Sequence, residues 1–285
     1  MIKVIQNVHL CLRLLKVTFD LEKMTDENII KINELDLDII APSTSGNHSG
    51  GFKLVVVGKP GTGKSSIISS LLYAKKHLIP AGIVMSGSED SNGFYSKMFP
   101  PSFVFNEYDE TQLKKFAKRQ KLAKAKMNNP WAVVLLDDCT DSTKIFNSKI
   151  QQGMYKRGRH WDMLYILSLQ YAMDIKPSIR TNVDGVFILR EPILKNRKAL
   201  FENYASVIGD FHIFCELMDA LTTDYCCMYI HNAIQKNNWQ ECVFYYKAEI
   251  PPSNFRFGCK EFWKHHHDRY DPNHVDKLDD FDEEE

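Results

Sequence analysis

The sequence predicts an α/β protein with a mainly parallel central sheet flanked by helices and additional C-terminal strands. Three observations predict it. From Phe52 onward, short apolar runs alternate with helix-period segments, the pattern of strands buried on both faces and joined by crossover helices. One of those runs, Leu54 to Val57 (LVVV), passes directly into a glycine-rich turn and then an apolar-periodic helix. The 285 residues are 44% hydrophobic and 25% charged, the composition of an ordinary globular chain long enough to bury a sizeable core.

Taken in order, the first forty residues are set apart by Pro42 to Gly51 (PSTSGNHSGG), a stretch of breakers and small polar residues that reads as a linker or loop. Before it, the alternation of Leu35, Leu37 and Ile39 predicts an edge strand. The core strands are expected at Leu54 to Val57, Gly82 to Ser86, Ala132 to Leu136, Met163 to Leu169 and Val186 to Leu189. Helices belong between them. Ile67, Ile68, Leu71 and Leu72 mark one; Leu113, Phe116, Ala117, Ala123 and Met127 mark a second; Phe146, Ile150 and Met154 line one face of a third, from Ser142 to Lys156. A further helix is expected at Asp210 to Ala220, then strands at Tyr225 to His231 and Cys242 to Tyr246. The resulting organisation is an N-terminal extension and linker (1–45), an α/β core that carries the glycine-rich turn (46–250) and a C-terminal extension with an acidic tail (251–285).

The 36 bases balance 36 acids. Six of those acids fall in the last seven residues, Asp279 to Glu285, leaving the rest of the chain with 36 bases against 30 acids, so neutrality does not exclude a polyanionic partner. No apolar run reaches the roughly 18 residues a membrane helix needs, which excludes membrane insertion. Val8 to Val17 is interrupted by Arg13 and Lys16 and lacks a cleavage site, so it does not read as a secretory signal. Seven scattered cysteines without a CxxC fit free thiols in a reducing compartment.

The chemistry is concentrated after the first core strand. Gly58-Lys59-Pro60-Gly61-Thr62-Gly63-Lys64-Ser65 matches GxxxxGK[ST] in the strand–loop–helix setting that confirms it, with Ser66 continuing into the helix. Glycines let successive backbone N–H groups turn inward around phosphates, and the helix N-terminus adds partial positive charge. This assigns ATP as cofactor, with Lys64 at the β- and γ-phosphates and the Ser65 hydroxyl on Mg²⁺. The strand AVVLL ends in Asp137-Asp138. Asp137 is the expected second Mg²⁺ ligand and Asp138 the group that polarises the attacking water; the competing role, capping the next helix, falls better to Asp141 or Ser142. Gln170, at the end of MLYILSL, is expected to face the γ-phosphate or its water.

Two weaker constellations remain. Lys114, Lys115, Lys118, Arg119, Lys121, Lys124 and Lys126 crowd one predicted helix, either as a sequence-independent DNA-phosphate face or as a solvated surface. His265, His266 and His267, near Cys259 and His274, lack the paired spacing of a zinc site and are expected to pack around Phe262 and Trp263.

Five segments together resemble the DNA-packaging ATPases of nucleocytoplasmic large DNA viruses, the poxvirus-type members of the FtsK-HerA superfamily: GKPGTGKS (58–65), VVLLDD (133–138), YKRGRHWDMLYILSLQ (155–170), PSIRTNVDGVFILRE (177–191) and FRFGCKEFW (255–263). The resemblance covers roughly Leu37 to Tyr270. It implies a RecA-like sheet, a homo-oligomeric ring, ATP hydrolysis, and translocation of double-stranded viral DNA into a capsid, with a capsid or portal component as a further partner. It implies a location in viral factories of the host cytoplasm or with the virion. It also implies an arginine supplied in trans: Arg159, eleven residues before Gln170, with Arg157 beside it and Arg180 as the fallback. One departure from the wider superfamily is Asp138 where many members carry Glu. Two other readings stay open. A nucleotide-kinase-like phosphotransferase shares this loop, although no arginine-rich lid is visible; a nucleotide-gated assembly scaffold would bind ATP without turnover. No NKxD guanine-reading motif is present.

Overall fold

The computed structural model describes residues 3–6, 29–46, 50–139, 143–233 and 238–269. Its elements, in chain order, are β1 (Lys3–Gln6), β2 (Ile29–Glu34), β3 (Phe52–Val57), α1 (Lys64–Ala74), β4 (Ala81–Ser86), α2 (Glu89–Asn92), β5 (Val104–Phe105), α3 (Glu110–Lys126), β6 (Ala132–Asp137), α4 (Lys149–Arg157), β7 (Met163–Leu169), α5 (Pro177–Arg180), β8 (Gly185–Ile188), α6 (Leu194–Leu200), α7 (Phe211–Leu221), β9 (Cys226–His231), β10 (Val243–Lys247) and α8 (Lys260–His267). The strands form one sheet in the order β1-β2-β10-β9-β8-β3-β7-β6-β4-β5. Among the described strands, only β9 runs antiparallel to its neighbours, β8 and β10.

Alternation along β3 explains the sheet's position. Val55 and Val57 belong to the apolar cluster on one face, Leu54 and Val56 to the cluster on the other, so a strand buried on both sides reads as a continuous apolar run. The same holds for β6 and β7, every residue of which is buried. β3 lies between β8 and β7, and β6 lies on the far side of β7. The carboxyl ends of β3, β7 and β6 are therefore adjacent, the place where an open α/β sheet binds ligands.

The five expected core strands and their connecting helices are present, within a residue or two at their ends. Three segments differ. The strand lies at Ile29–Glu34, not across Leu35 to Ile39, and it is not at the edge, where β1 lies; at Leu37–Ile39 the chain forms a 3-10 turn, capped by Asp36, whose carboxylate accepts from Asp38 N at 2.8 Å. Asp38 in turn accepts from Thr44 N at 2.7 Å, which closes the segment into a local fold. The expected helix from Ser142 begins as a 3-10 turn at Thr143–Asn147 and restarts as α4, because Ser148 caps α4 by accepting from Gln151 N. The short strand β5 had no signal in its two residues.

Segments at both ends of the chain join the sheet or its faces. β2 pairs in parallel with β10, and the Pro42 carbonyl accepts from the buried Lys75 Nζ at 2.7 Å. Phe257 N donates to Met98 O at 2.7 Å and Cys259 N to Pro80 O at 2.8 Å. Cys215, Cys227 and Cys259 carry free thiols. Val8 to Val17, Asp141, Ser142, His274 and the acidic tail lie outside the described residues.

Candidate nucleotide-binding site

β3 leaves the sheet at Val57 and turns through the glycine loop into α1. Two glycines are sterically required. A Cβ on Gly58 would stand 2.6 Å from Thr62 Oγ1 and 2.9 Å from Leu189 Cβ, and Gly63, the residue before α1, has φ +102°, a conformation that strains any L side chain. Lys64 opens α1, and its Nζ lies back along the loop, donating to Gly58 O at 2.7 Å and Lys59 O at 3.3 Å. Burial lowers its pKa, opposed by the charges of Asp137 and Asp138.

β6 delivers the acids. Asp137 is 5% exposed and its Oδ2 accepts from Tyr95 OH at 2.7 Å. Asp138 follows with φ +53°, in the left-handed region that Asp tolerates better than most residues. Gly87 N donates to Asp137 O at 3.1 Å, so the end of β4 supports this turn. From the end of β7, Gln170 Nε2 donates to Asp138 Oδ1. Lys64, Ser65, Ser66, Asp137, Asp138 and Gln170 thus line one cleft of about 480 Å³, together with Pro60, Gly61 and Gly63.

The donors fit magnesium. Ser65 hydroxyl and Asp137 carboxylate are hard oxygens, and Mg²⁺ is held through one or two such groups plus substrate phosphates and water. Among the described residues no group of three or more His, Cys, Asp and Glu is placed to hold a metal ion by itself. This includes the histidines of α8, where His266 is buried and hydrogen-bonds Ser102 Oγ at 3.0 Å and His267 lies against Trp263.

Arg159 and Arg157 are not in this cleft. They precede β7, while Gln170 follows it, so about 23 Å of extended backbone separates the two ends. Arg159 is ion-paired with the buried Asp184, which also holds Lys53 Nζ at 3.4 Å. Arg180, on α5, donates to Ile175 O. On the basic helix α3, Lys124 Nζ meets Asp162 at 2.9 Å and Lys114 pairs with Glu110; Leu113, Phe116, Ala117, Gln120 and Ala123 form the buried side.

Sequence reasoning missed the segment that follows β4. Ser88 and Asn92 line the cleft, Tyr95 contacts Asp137, and buried Glu89 accepts from Tyr95 N at 3.0 Å and Ser96 N at 2.8 Å. A signal existed: GSEDSN follows the carboxyl end of a parallel strand, where small polar residues gather around ligands. Glu191, whose Oε1 lies 3.0 Å from Lys59 Nζ, was likewise not singled out.

No protein-family model matches the chain. Protein 075L of Invertebrate iridescent virus 6 is 51% identical over 251 residues, covering 87% of this chain and 97% of that protein. Protein 088R of Invertebrate iridescent virus 3 is 46% identical over 246 residues, covering 84% and 94%. Among solved structures, the fold is shared with B204, described as the DNA-packaging ATPase from Sulfolobus Turreted Icosahedral Virus, at TM-score 0.53 and 17% identity over 71% of this chain and 99% of that one. The genome packaging NTPase B204 from Sulfolobus turreted icosahedral virus 2 in complex with ATP-gammaS matches at TM-score 0.50 and 16% identity, over 70% and 98%.

Proposed function

We propose that this chain, which belongs to the large-DNA-virus protein family of 075L and 088R, is a magnesium-dependent ATPase that assembles as a ring and drives double-stranded viral DNA into a capsid. The observation that carries the reading is the convergence of Lys64, Asp137, Asp138 and Gln170 from three adjacent strands into one cleft. The shared fold with B204 supports it.

The geometry supports the following roles. Backbone N–H groups of Gly61 to Ser65 and the start of α1 would cradle the phosphates. Lys64 would exchange its two carbonyl acceptors for phosphate oxygens, because charge-assisted hydrogen bonds are the stronger ones. Ser65 and Asp137 would hold Mg²⁺, which would supply charge neutralisation at the phosphates. Asp138 would accept a proton from, or orient, the attacking water, and Gln170 holds one Asp138 oxygen in place. Arg159 stands too far from its own Lys64 to serve it and would act on a neighbouring subunit's nucleotide, where such a residue contributes about 10³-fold or more in rate. A capsid or portal component is a further proposed partner. Among the described residues no helix is long and apolar enough to cross a membrane, which suits a protein acting in the viral factory or with the virion.

The test is ATP turnover with and without long double-stranded DNA, for the wild type and Lys64→Ala. A motor is stimulated by DNA, and Lys64→Ala abolishes turnover. Turnover that ignores DNA and requires a phosphoryl acceptor would mark a kinase. Stoichiometric nucleotide binding without turnover would mark a scaffold. Either result overturns the motor reading.

A further inference from the structure

The segment between β4 and β5 contributes a buried tyrosine whose hydroxyl no part of the proposed chemistry uses. Tyr95 is 1% exposed and its phenol donates to Asp137 Oδ2 at 2.7 Å. Tyr95 therefore holds one of the two side chains that would bind the cation, Asp137 at the end of β6. A phenol has one proton to give and an oxygen that can accept. With its proton on Asp137 Oδ2, Asp137 Oδ1 remains for another partner.

The ring is held from behind. Glu89, itself buried, accepts from Tyr95 N at 3.0 Å, from Ser96 N at 2.8 Å and from Ser96 Oγ at 2.7 Å. Phe94 packs edge-on to the Tyr95 ring, centroids 5.0 Å apart. This is a fixed support and not a mobile surface side chain, and such supports behind metal ligands commonly set affinity by orienting them.

From this geometry we infer that Tyr95 is a positioning residue for the cation: it holds Asp137 by Oδ2 so that Oδ1 is presented to Mg²⁺. The inference rests on reading the cleft as a magnesium–nucleotide site. Tyr95→Phe keeps the ring and removes only the hydroxyl. The experiment titrates Mg²⁺ into full-length protein bound to a fluorescent ATP analogue and measures analogue affinity separately in EDTA. The expected result is an unchanged affinity in EDTA and a half-saturating Mg²⁺ concentration raised about tenfold, the lower end of the range for lost supports of this kind. A parallel measurement keeps the hydroxyl: with 3-fluorotyrosine at position 95, the ¹⁹F resonance is expected to shift when Mg²⁺ is added to the nucleotide complex. This second arm stands even if Tyr95→Phe folds poorly. An unchanged Mg²⁺ requirement in a folded Tyr95→Phe, or a ¹⁹F resonance indifferent to Mg²⁺, overturns the positioning role. A wild type that binds nucleotide with no response to Mg²⁺ overturns the cleft reading itself, and the two failures are thereby distinguished.

Discussion

Gln170 and Asp138 meet side chain to side chain across the end of the sheet, the amide Nε2 donating to the carboxylate Oδ1. The contact joins the ends of neighbouring strands β7 and β6 and fixes an acid that sits at φ +53°. That backbone gives a reason for Asp at this position: Asp and Asn are the non-glycine residues most at ease there. Asp138→Asn should therefore fold with near wild-type stability while lowering kcat by about 10² to 10⁴, the range for a lost general base. A thermal melt alongside single-turnover hydrolysis checks this; wild-type turnover in Asp138→Asn removes Asp138 from the chemistry.

Arg159 and its partner Asp184 separate catalysis from stability. Asp184 is buried and accepts from Lys53 N at 2.8 Å as well as pairing with the Lys53 ammonium. Removing it in Asp184→Ala leaves a buried cation uncompensated, at a cost of about 3–5 kcal/mol. Arg159 is 57% exposed in its side chain, so Arg159→Ala should cost at most about 1 kcal/mol. If Arg159 acts in trans, the same variant loses turnover and regains part of it when mixed with Lys64→Ala subunits. Denaturant unfolding and mixed-subunit assays read the two effects independently, and a stable Arg159→Ala with full turnover would reject the finger assignment.

How much of this was legible follows from how each feature is written in the chain. β3, β6 and β7 are buried on both faces, so their apolar runs are unbroken, and the glycine loop has one backbone solution that its residue types announce. Gln170 was found because its place follows from the strand before it. Tyr95 was not, since it reaches Asp137 across 42 residues of sequence from a segment without periodicity or motif. β2 was displaced for a related reason. Leu35, Leu37 and Ile39 alternate like a strand, but Asp36 and Asp38 hydrogen-bond nearby backbone, and such local bonding competes with a sheet ladder. The pairing of Arg159 with Asp184 depends on where two loops meet at the amino ends of β7 and β8, which no local pattern records.

Lys59 ties the glycine loop to Glu191, 3.0 Å away, and Glu191 also accepts from Ile193 N at 2.8 Å and Asn196 Nδ2 at 3.1 Å. Loop and α6 entrance are thereby held together from the side of β8. Lys59→Ala removes that tie without touching Lys64 or Ser65. The expected result is weaker nucleotide binding by a few-fold, since a half-exposed pair contributes about 1 kcal/mol or less, with kcat per bound nucleotide unchanged. Isothermal titration with ATPγS measures the first and saturating-ATP turnover the second; a fall in kcat alone would instead place Lys59 in the chemical step.

Lys75 gives the fold a pH dependence of defined sign. It is 2% exposed, donates to Pro42 O at 2.7 Å and lies 3.9 Å from Asp38 Oδ1. Burial lowers its pKa from 10.5 to about 8, against the opposing pull of Asp38 and Asp36. Below pH 8 both folded and unfolded chains keep the proton, and Lys75 adds no slope. Between that point and the ordinary lysine value, the folded chain has released its proton while the unfolded chain still holds it. The unfolded state then binds more protons, so the Lys75 contribution to stability rises with pH across this window. Lys75→Met lacks the titrating group. In denaturant midpoints measured across the same window, the wild type should therefore gain on Lys75→Met as pH rises, and parallel curves would show that the buried ammonium titrates normally.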